Sequence, residues 1–364
     1  MSAEIIYDME KPMKAVSNAL YLIVIFSLVF IFKQLIIYHN QGDEYTGFLK
    51  MWLLAPLLSI AIFVPNIRGN ALKIKASGRG LFSVLEIIVW IFSSVTVLFY
   101  YGIVESLTLQ ILVIRSVCTE DLNVAGKIFV VKLIDFTFLV FWIITFLVFY
   151  FRPEFFDLFI IGCYVITILF AIFYGLSRKI DFVTYPNSQS FLYAFSSAFV
   201  PFCAFTFSEL IETDTLGQFM SFYLIANTIV TTFSLVFNRF IFSHNATIMI
   251  AERYYRRFMA IVLFALFSLS IFAFVELTAL PALILIFLVG RMSYTFIEGM
   301  YFNGHMIVGN LRIKVLIIGK YFCALLLLGI LGVNVNSFFV IVAMPQLLFV
   351  LGILAMHNSG KLDA

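Results

Sequence analysis

Eight ionisable side chains interrupt otherwise apolar runs: Lys33, Glu86, Arg115, Asp135, Glu209, Arg239, Arg291 and Glu298. A charge at mid-bilayer costs about 2.5–3.5 kcal/mol on insertion scales, so such a residue turns toward protein, water or a ligand. Arg291 is the plainest case, with Ile284-Leu-Ile-Phe-Leu-Val-Gly290 before it and Met292-Ser-Tyr-Thr-Phe after it. A guanidinium keeps its proton. Arg291 must therefore meet a carboxylate such as Glu298 two turns along, face an anionic solute in a cavity, or reach the head groups on its own stem.

Lys33 and Lys50 lie toward the outer ends of the first two apolar runs. With Arg291 they could give a cavity positive potential suited to an anionic group. The alternative is that both lysines bind lipid phosphate at the outer surface. Glu209 is placed to pair with either of them. Asp135, one turn from Lys132, reads as half of a structural pair, and Glu86 as structural too. Arg239 sits near the inner end of its run as an anchoring charge, and Lys320 is placed to snorkel.

No arrangement points to covalent chemistry. HExxH, GxSxG and Walker patterns are absent. His39, His244, His305 and His357 have no carboxylates at metal-ligand spacing, and Cys118, Cys163, Cys203 and Cys323 form no CxxC pair. The expectation is a protein without catalytic residues, metal or cofactor, and so not an enzyme. A net charge of +3 spread over short turns gives nucleic acid nothing to bind.

The elements that position these charges follow from composition. Hydrophobic residues make up 63% of the 364-residue chain and charged residues 12%, where soluble domains carry about 25% charge. The 45 Phe alone outnumber the 23 Lys and Arg. This is the composition of an integral, all-α polytopic membrane protein. Helices are expected over 17–37, 48–66, 81–101, 104–119, 129–150 and 156–176, then over 190–210, 217–239, 258–277, 279–299, 315–332 and 337–356. At about 20 residues each, twelve spans take about 240 residues and leave no folded domain outside the bilayer. The run from Leu20 to Ile37 is expected to remain as the first span. The segment 104–119 is the weakest, because it carries Arg115 and runs into Cys118-Thr119-Glu120-Asp121.

Basic residues supply the orientation. Lys11, Lys14, Arg68, Lys73, Lys75, Arg79, Lys127, Arg178, Lys179, Arg253, Arg256, Arg257, Arg312, Lys314 and Lys361 all fall on one side if twelve helices are drawn with both termini cytoplasmic; Arg152 is the exception. The chain then divides into two six-helix lobes of the same orientation, 1–178 and 179–364, one of the standard transporter plans. A faint echo accompanies the division: Asp43-Glu-Tyr-Thr-Gly-Phe opens the second helix and Asp214-Thr-Leu-Gly-Gln-Phe the eighth, with Gly47 and Gly217 at corresponding turns. Acidic-glycine-aromatic strings are also common at membrane turns. Pro56, Pro201 and Pro345 fall within spans, Pro201 midway along the seventh, and each would release a backbone carbonyl.

This layout resembles the multidrug/oligosaccharidyl-lipid/polysaccharide exporter superfamily, in its polysaccharide-transporter or O-antigen flippase branch. The segments that carry the resemblance are Gly42-Asp-Glu-Tyr-Thr-Gly-Phe48, Phe191-Leu-Tyr-Ala-Phe-Ser-Ser-Ala-Phe-Val-Pro201 with Glu212-Thr-Asp-Thr-Leu-Gly-Gln-Phe219, the re-entry Ala251-Glu-Arg-Tyr-Tyr-Arg-Arg257, and the polar link from Tyr301 to Gly319. It is a likeness of layout more than of motif, and the chain is compact for the family. The resemblance implies a multi-pass protein of the bacterial inner membrane. Such a protein moves an undecaprenyl-pyrophosphate-linked glycan, a repeat unit of O-antigen, capsule or exopolysaccharide, by alternating access. Partners would be that lipid-linked glycan, membrane lipids and glycan-assembly enzymes. Arg291, Lys33 and Lys50 would then supply cavity charge, and Arg239 would meet the pyrophosphate at the inner entrance. Glu209, Asp135 and Glu298 would pair charges or couple transport to H+ or Na+. The rival readings are a polytopic enzyme of glycan assembly, a polymerase or acyltransferase, and a secondary transporter of small solutes.

Overall fold

A computed structural model describes residues 3–39, 46–60, 84–124, 128–173, 195–243, 279–297 and 311–358. The secondary structure of these residues is helical, joined by short turns. The elements are α1 (Ala3–His39), α2 (Thr46–Leu58), α3 (Val84–Tyr100), α4 (Ile103–Val124), α5 (Ile128–Phe151) and α6 (Phe156–Phe173), followed by α7 (Phe199–Leu210), α8 (Thr213–Ser243), α9 (Ala279–Ile297), α10 (Leu311–Leu331) and α11 (Val335–Asn358). Every expected run except 258–277 has a helix among them; that run and the basic stretches around Arg68 to Arg79 and Arg253 to Arg257 lie outside the described residues. Helix α1 extends well beyond the expected 17–37.

Four stretches, 129–151, 153–173, 312–331 and 335–356, are long and apolar enough to cross a membrane. Their surfaces fit that solvent. On α6, Leu158, Ile166 and Leu169 are each at least 60% exposed, and Phe173 is 91% exposed, an arrangement that water penalises and lipid tails do not. An all-α membrane protein is built from such elements.

The residues group into two compact units, 32–220 and 1–31 with 221–364. In the first, α4 is the central helix, packed against α2, α3, α5 and α6. This was the segment least convincing as a span, and its place explains why. Leu109, Val113, Ile114, Val117 and Cys118 are buried against protein, so α4 needs fewer apolar atoms than a helix that faces lipid. Met51 and Ala55 of α2 and Val97 of α3 pack with Leu109, Val113 and Val117. Gly102, at φ +116°, turns α3 into α4, a backbone region nearly closed to residues with a Cβ. The Ser106 hydroxyl then donates to the Ser94 carbonyl at 2.9 Å and ties the two helices together.

Pro201 is not midway along its helix. A turn at Ala198 separates helical residues 195–197 from α7, which places the proline in the first turn of α7, where its missing N–H costs little. Pro56 and Pro345 do lie inside α2 and α11.

In the second unit, α11 packs on both α9 and α10. Gly332, at φ +69°, closes α10. Asn334 and Ser337 cap α11 reciprocally: the Ser337 N–H donates to Asn334 Oδ1 at 2.9 Å and the Asn334 N–H to Ser337 Oγ at 3.1 Å. Contacts between α9 and α11 advance together, Phe287 with Phe338 and Phe339, Gly290 with Ala343, and Tyr294 with Phe349. The two helices therefore run parallel, crossing most closely at Gly290, where an added Cβ would sit 3.1 Å from the Ala343 carbonyl oxygen.

Candidate functional site

Three groups of charged side chains are positioned by this framework. The first lies among α2, α3 and α7. Lys50 Nζ is 3.1 Å from Glu209 Oε2, and the Tyr101 hydroxyl donates to Glu209 Oε1 at 2.6 Å. The ammonium also stands 5.8 Å from the Tyr101 ring centre. Both oxygens of Glu209 are thus engaged, and Lys50 is neutralised within its own unit. Nearby, Glu105 lies against Gly47 and Gly102; its Oε1 is 3.0 Å from where a Cβ on Gly47 would stand. Gly217 has no such crowding, its nearest neighbour being Ile37 at 3.9 Å. The two glycines of the sequence echo therefore meet different surroundings.

The second group joins α1, α2, α4 and α5. The Lys33 ammonium lies 5.1 Å from the Trp52 ring centre and 4.6 Å from that of Trp142, and the two indoles meet edge to face at 4.8 Å. Ring faces carry negative potential and attract the cation. Trp142 continues into Phe138, over which the Arg115 guanidinium stands at 4.2 Å. Arg115 in turn donates to Asp135 at 2.8 Å. One carboxylate therefore serves two cations, and it belongs to Arg115. Among the described residues Lys33 has aromatic faces and no carboxylate. The Nε1 atoms of Trp52 and Trp142 and Nε of Arg115 are buried without a hydrogen-bond partner. Asp135, read from sequence as half of a structural pair, is paired with the Arg115 guanidinium of α4.

The third group lies on α9, α10 and α11. Arg291 sits between Phe287 and Tyr294, four residues back and three forward, on the stripe of α9 that faces α11. Gln346 occupies the answering stripe, three residues after Ala343 and three before Phe349. Each of Arg291 and Gln346 lies within one turn, along its own helix, of the Gly290–Ala343 contact. Gln346 is 0% exposed, and neither its amide nitrogen nor its oxygen has a partner; Arg291 Nε is also unpartnered. No carboxylate among the described residues pairs with Arg291. One turn along, the Lys320 ammonium lies 4.2 Å from the Tyr294 ring centre and 4.7 Å from that of Phe349. Lys320 is 2% exposed, so it does not snorkel; two ring faces hold it inside.

The candidates named from sequence fall out as follows. Lys50 and Glu209 are brought together, as are Arg115 and Asp135. Lys33 and Arg291 belong to different groups. Glu86 is buried in the first turn of α3. Arg239 lies in α8, with its side chain outside the described residues, as is Glu298. Sequence reasoning passed over Trp52, Trp142, Tyr294, Phe349 and above all Gln346. The signal for Gln346 was present: it is an amide in the apolar run of α11, directly after Pro345. No metal-ligating cluster of His, Cys, Asp or Glu occurs among the described residues.

The chain matches no family model, no curated protein and no solved structure.

Proposed function

We propose that the chain is a flippase, of the exporter superfamily it resembles, that moves a polyprenyl-pyrophosphate-linked oligosaccharide across the bacterial inner membrane by alternating access. The observation that carries the reading is Arg291: a permanent cation within the apolar run of α9, its Nε buried and unpartnered, with no carboxylate paired to it among the described residues. A structural charge inside an apolar bundle is normally neutralised by a neighbour, as Arg115 is by Asp135. A cation left without one suits an anion that comes and goes. Lys33, held by Trp52 and Trp142, supports the same reading with a second exchangeable cation on an aromatic surface. Lys50 would have to leave Glu209 before it met an anion, and that exchange would give Glu209 its role in coupling to H+ or Na+. Arg239 completes the reading as the inner contact for pyrophosphate. No covalent step is required.

The test is the leaflet distribution of undecaprenyl-pyrophosphate-linked oligosaccharide in cells depleted of the protein, beside cells carrying Arg291→Ala at matched abundance. Accumulation on the cytoplasmic side in both is the expected result. Normal flipping with unpolymerised units in the outer leaflet would replace the reading by a glycan-assembly enzyme. Unchanged lipid-linked glycan would replace it by a transporter of small solutes.

A further inference from the structure

We infer that α7 is a hinged arm, pivoting between Ala198 and Pro201 and clasped at its far end by the contacts of Glu209 with Lys50 and Tyr101. The inference goes beyond the flippase reading and does not depend on what the chain carries.

The pivot follows from the sequence. Proline has no N–H, so Pro201 offers the Ser197 carbonyl no hydrogen bond, and its ring crowds that carbonyl. The helical path over 195–197 accordingly breaks in a turn at Ala198 before α7 resumes at Phe199. At the other end Ile211 is extended, with φ −80° and ψ 148°, before α8 begins at Thr213. Between these two joints lie 12 helical residues, a rod of about 18 Å. That is shorter than the bilayer core of about 30 Å. A short rod between two non-helical joints is free to rotate as one body.

The rod is held differently at its two ends. Toward the pivot Phe199, Val200 and Ala204 are fully buried, and α7 packs on α2. At the far end Leu210 is exposed, and apolar packing gives way to polar contacts. Glu209 there meets Lys50 Nζ of α2 at 3.1 Å and accepts from the Tyr101 hydroxyl, in the turn after α3, at 2.6 Å. A partly solvated pair of this kind contributes little. Burial therefore fixes the pivot, while a weak and replaceable clasp holds the swinging end. Proteins draw their moving parts from such regions of low local stability. Phe207 meets Phe219 of α8 at 5.5 Å, which passes the swing on to α8. Release opens the seam between α7 and α2 from the clasp end and uncovers Ser208, which is 1% exposed beside Glu209.

The test uses the full chain in phospholipid nanodiscs with Ser208→Cys as a reporter, its N-ethylmaleimide labelling rate read by peptide mass spectrometry. Cys118, buried in α4, reports global opening in the same sample. Glu209→Gln removes the charge that Lys50 meets, and Tyr101→Phe removes the hydroxyl. Each is expected to speed labelling of the reporter about threefold and to leave Cys118 unchanged. Pro201→Ala, which restores an N–H for the Ser197 carbonyl, is expected to slow the reporter below the rate seen with proline. An unchanged rate in both clasp variants overturns the clasp. A rate unmoved by Pro201→Ala overturns the pivot. Equal acceleration of the reporter and Cys118 overturns the arm as a separate moving body, since the whole unit would then be opening.

Discussion

Arg115 and Arg291 are both guanidinium groups in helices of apolar surroundings, and their neighbours differ in kind. Arg115 has a carboxylate at 2.8 Å and an aromatic face at 4.2 Å. Arg291 has a buried, unpartnered Nε and no paired carboxylate among the described residues. The first arrangement is closed, with each charge meeting its opposite within the fold. The second shows no such counter-charge among the described residues. The contrast teaches that charge inside a bundle is not itself a sign of function; what separates the two arginines is whether a counter-charge stands beside them among the described residues.

That contrast can be broken by measurement. The largest effect is expected from Asp135→Asn, which leaves Arg115 without its counter-charge. Removing one partner of a buried pair costs about 3–5 kcal/mol, and the remaining exposure of Arg115, 25% of its side chain, puts this case at about 3 kcal/mol. Thermal unfolding in detergent should show the loss; unaltered unfolding would mean that Arg115 is as open as Arg291. The double substitution Arg115→Met with Asp135→Leu should recover most of the stability, since apolar replacements of whole buried pairs are often neutral.

Next comes Gly290→Ala, which forces α9 from α11 at their closest approach. Overpacking of this sort costs about 1–3 kcal/mol. Because the backbone of Ala343 is what the new methyl meets, binding at Arg291 should weaken along with stability. Retention of both would detach the crossing from the site.

Arg291→Met should separate stability from function. No ion pair is lost among the described residues, so unfolding should move by less than about 1 kcal/mol, while transport falls by about tenfold, equivalent to about 1.4 kcal/mol. A large unfolding shift would reveal a hidden structural partner and place Arg291 with Arg115. The smallest effect belongs to Glu209→Gln. Its pair with Lys50 is partly solvated, at 15% and 34% exposure, and such pairs contribute about 0.2–1 kcal/mol. A much larger loss on unfolding would make the Lys50–Glu209–Tyr101 group a structural clamp.

Much of the fold was legible as apolar runs with polar punctuation. Helices α5, α6 and α10 are mostly unburied and α11 is 56% buried, yet all four are apolar along their length and were read from that. Helix α4 was harder to read, since hydropathy reports how much of a helix touches lipid, and α4 touches mostly protein. The site was legible only where charge interrupted an apolar run. Arg291 and Lys33 stood out for that reason. Gln346 did not, because an uncharged amide barely lowers the hydropathy of a run such as 335–356. Pairing is the third layer, and spacing along one helix does not report it: Asp135 has Lys132 one turn away in sequence and takes a bond from Arg115 of another helix. No local pattern reports which of two helices a carboxylate will meet. The same limit hid the Trp52–Trp142 box around Lys33, whose parts are 90 residues apart in the chain.

The central place of α4 also bears on how the protein enters its membrane. Arg115, near the middle of α4, would oppose partitioning of α4 alone, since an ionised side chain near a helix centre costs about 2.5–3.5 kcal/mol on biological insertion scales. The helix becomes acceptable only in company, with α3 folded against it through the Gly102 turn and Asp135 arriving on α5 to meet Arg115. Biogenesis of this unit is therefore a cooperative event, in which lipid-seeking neighbours carry into the bilayer a helix that would not stay there by itself.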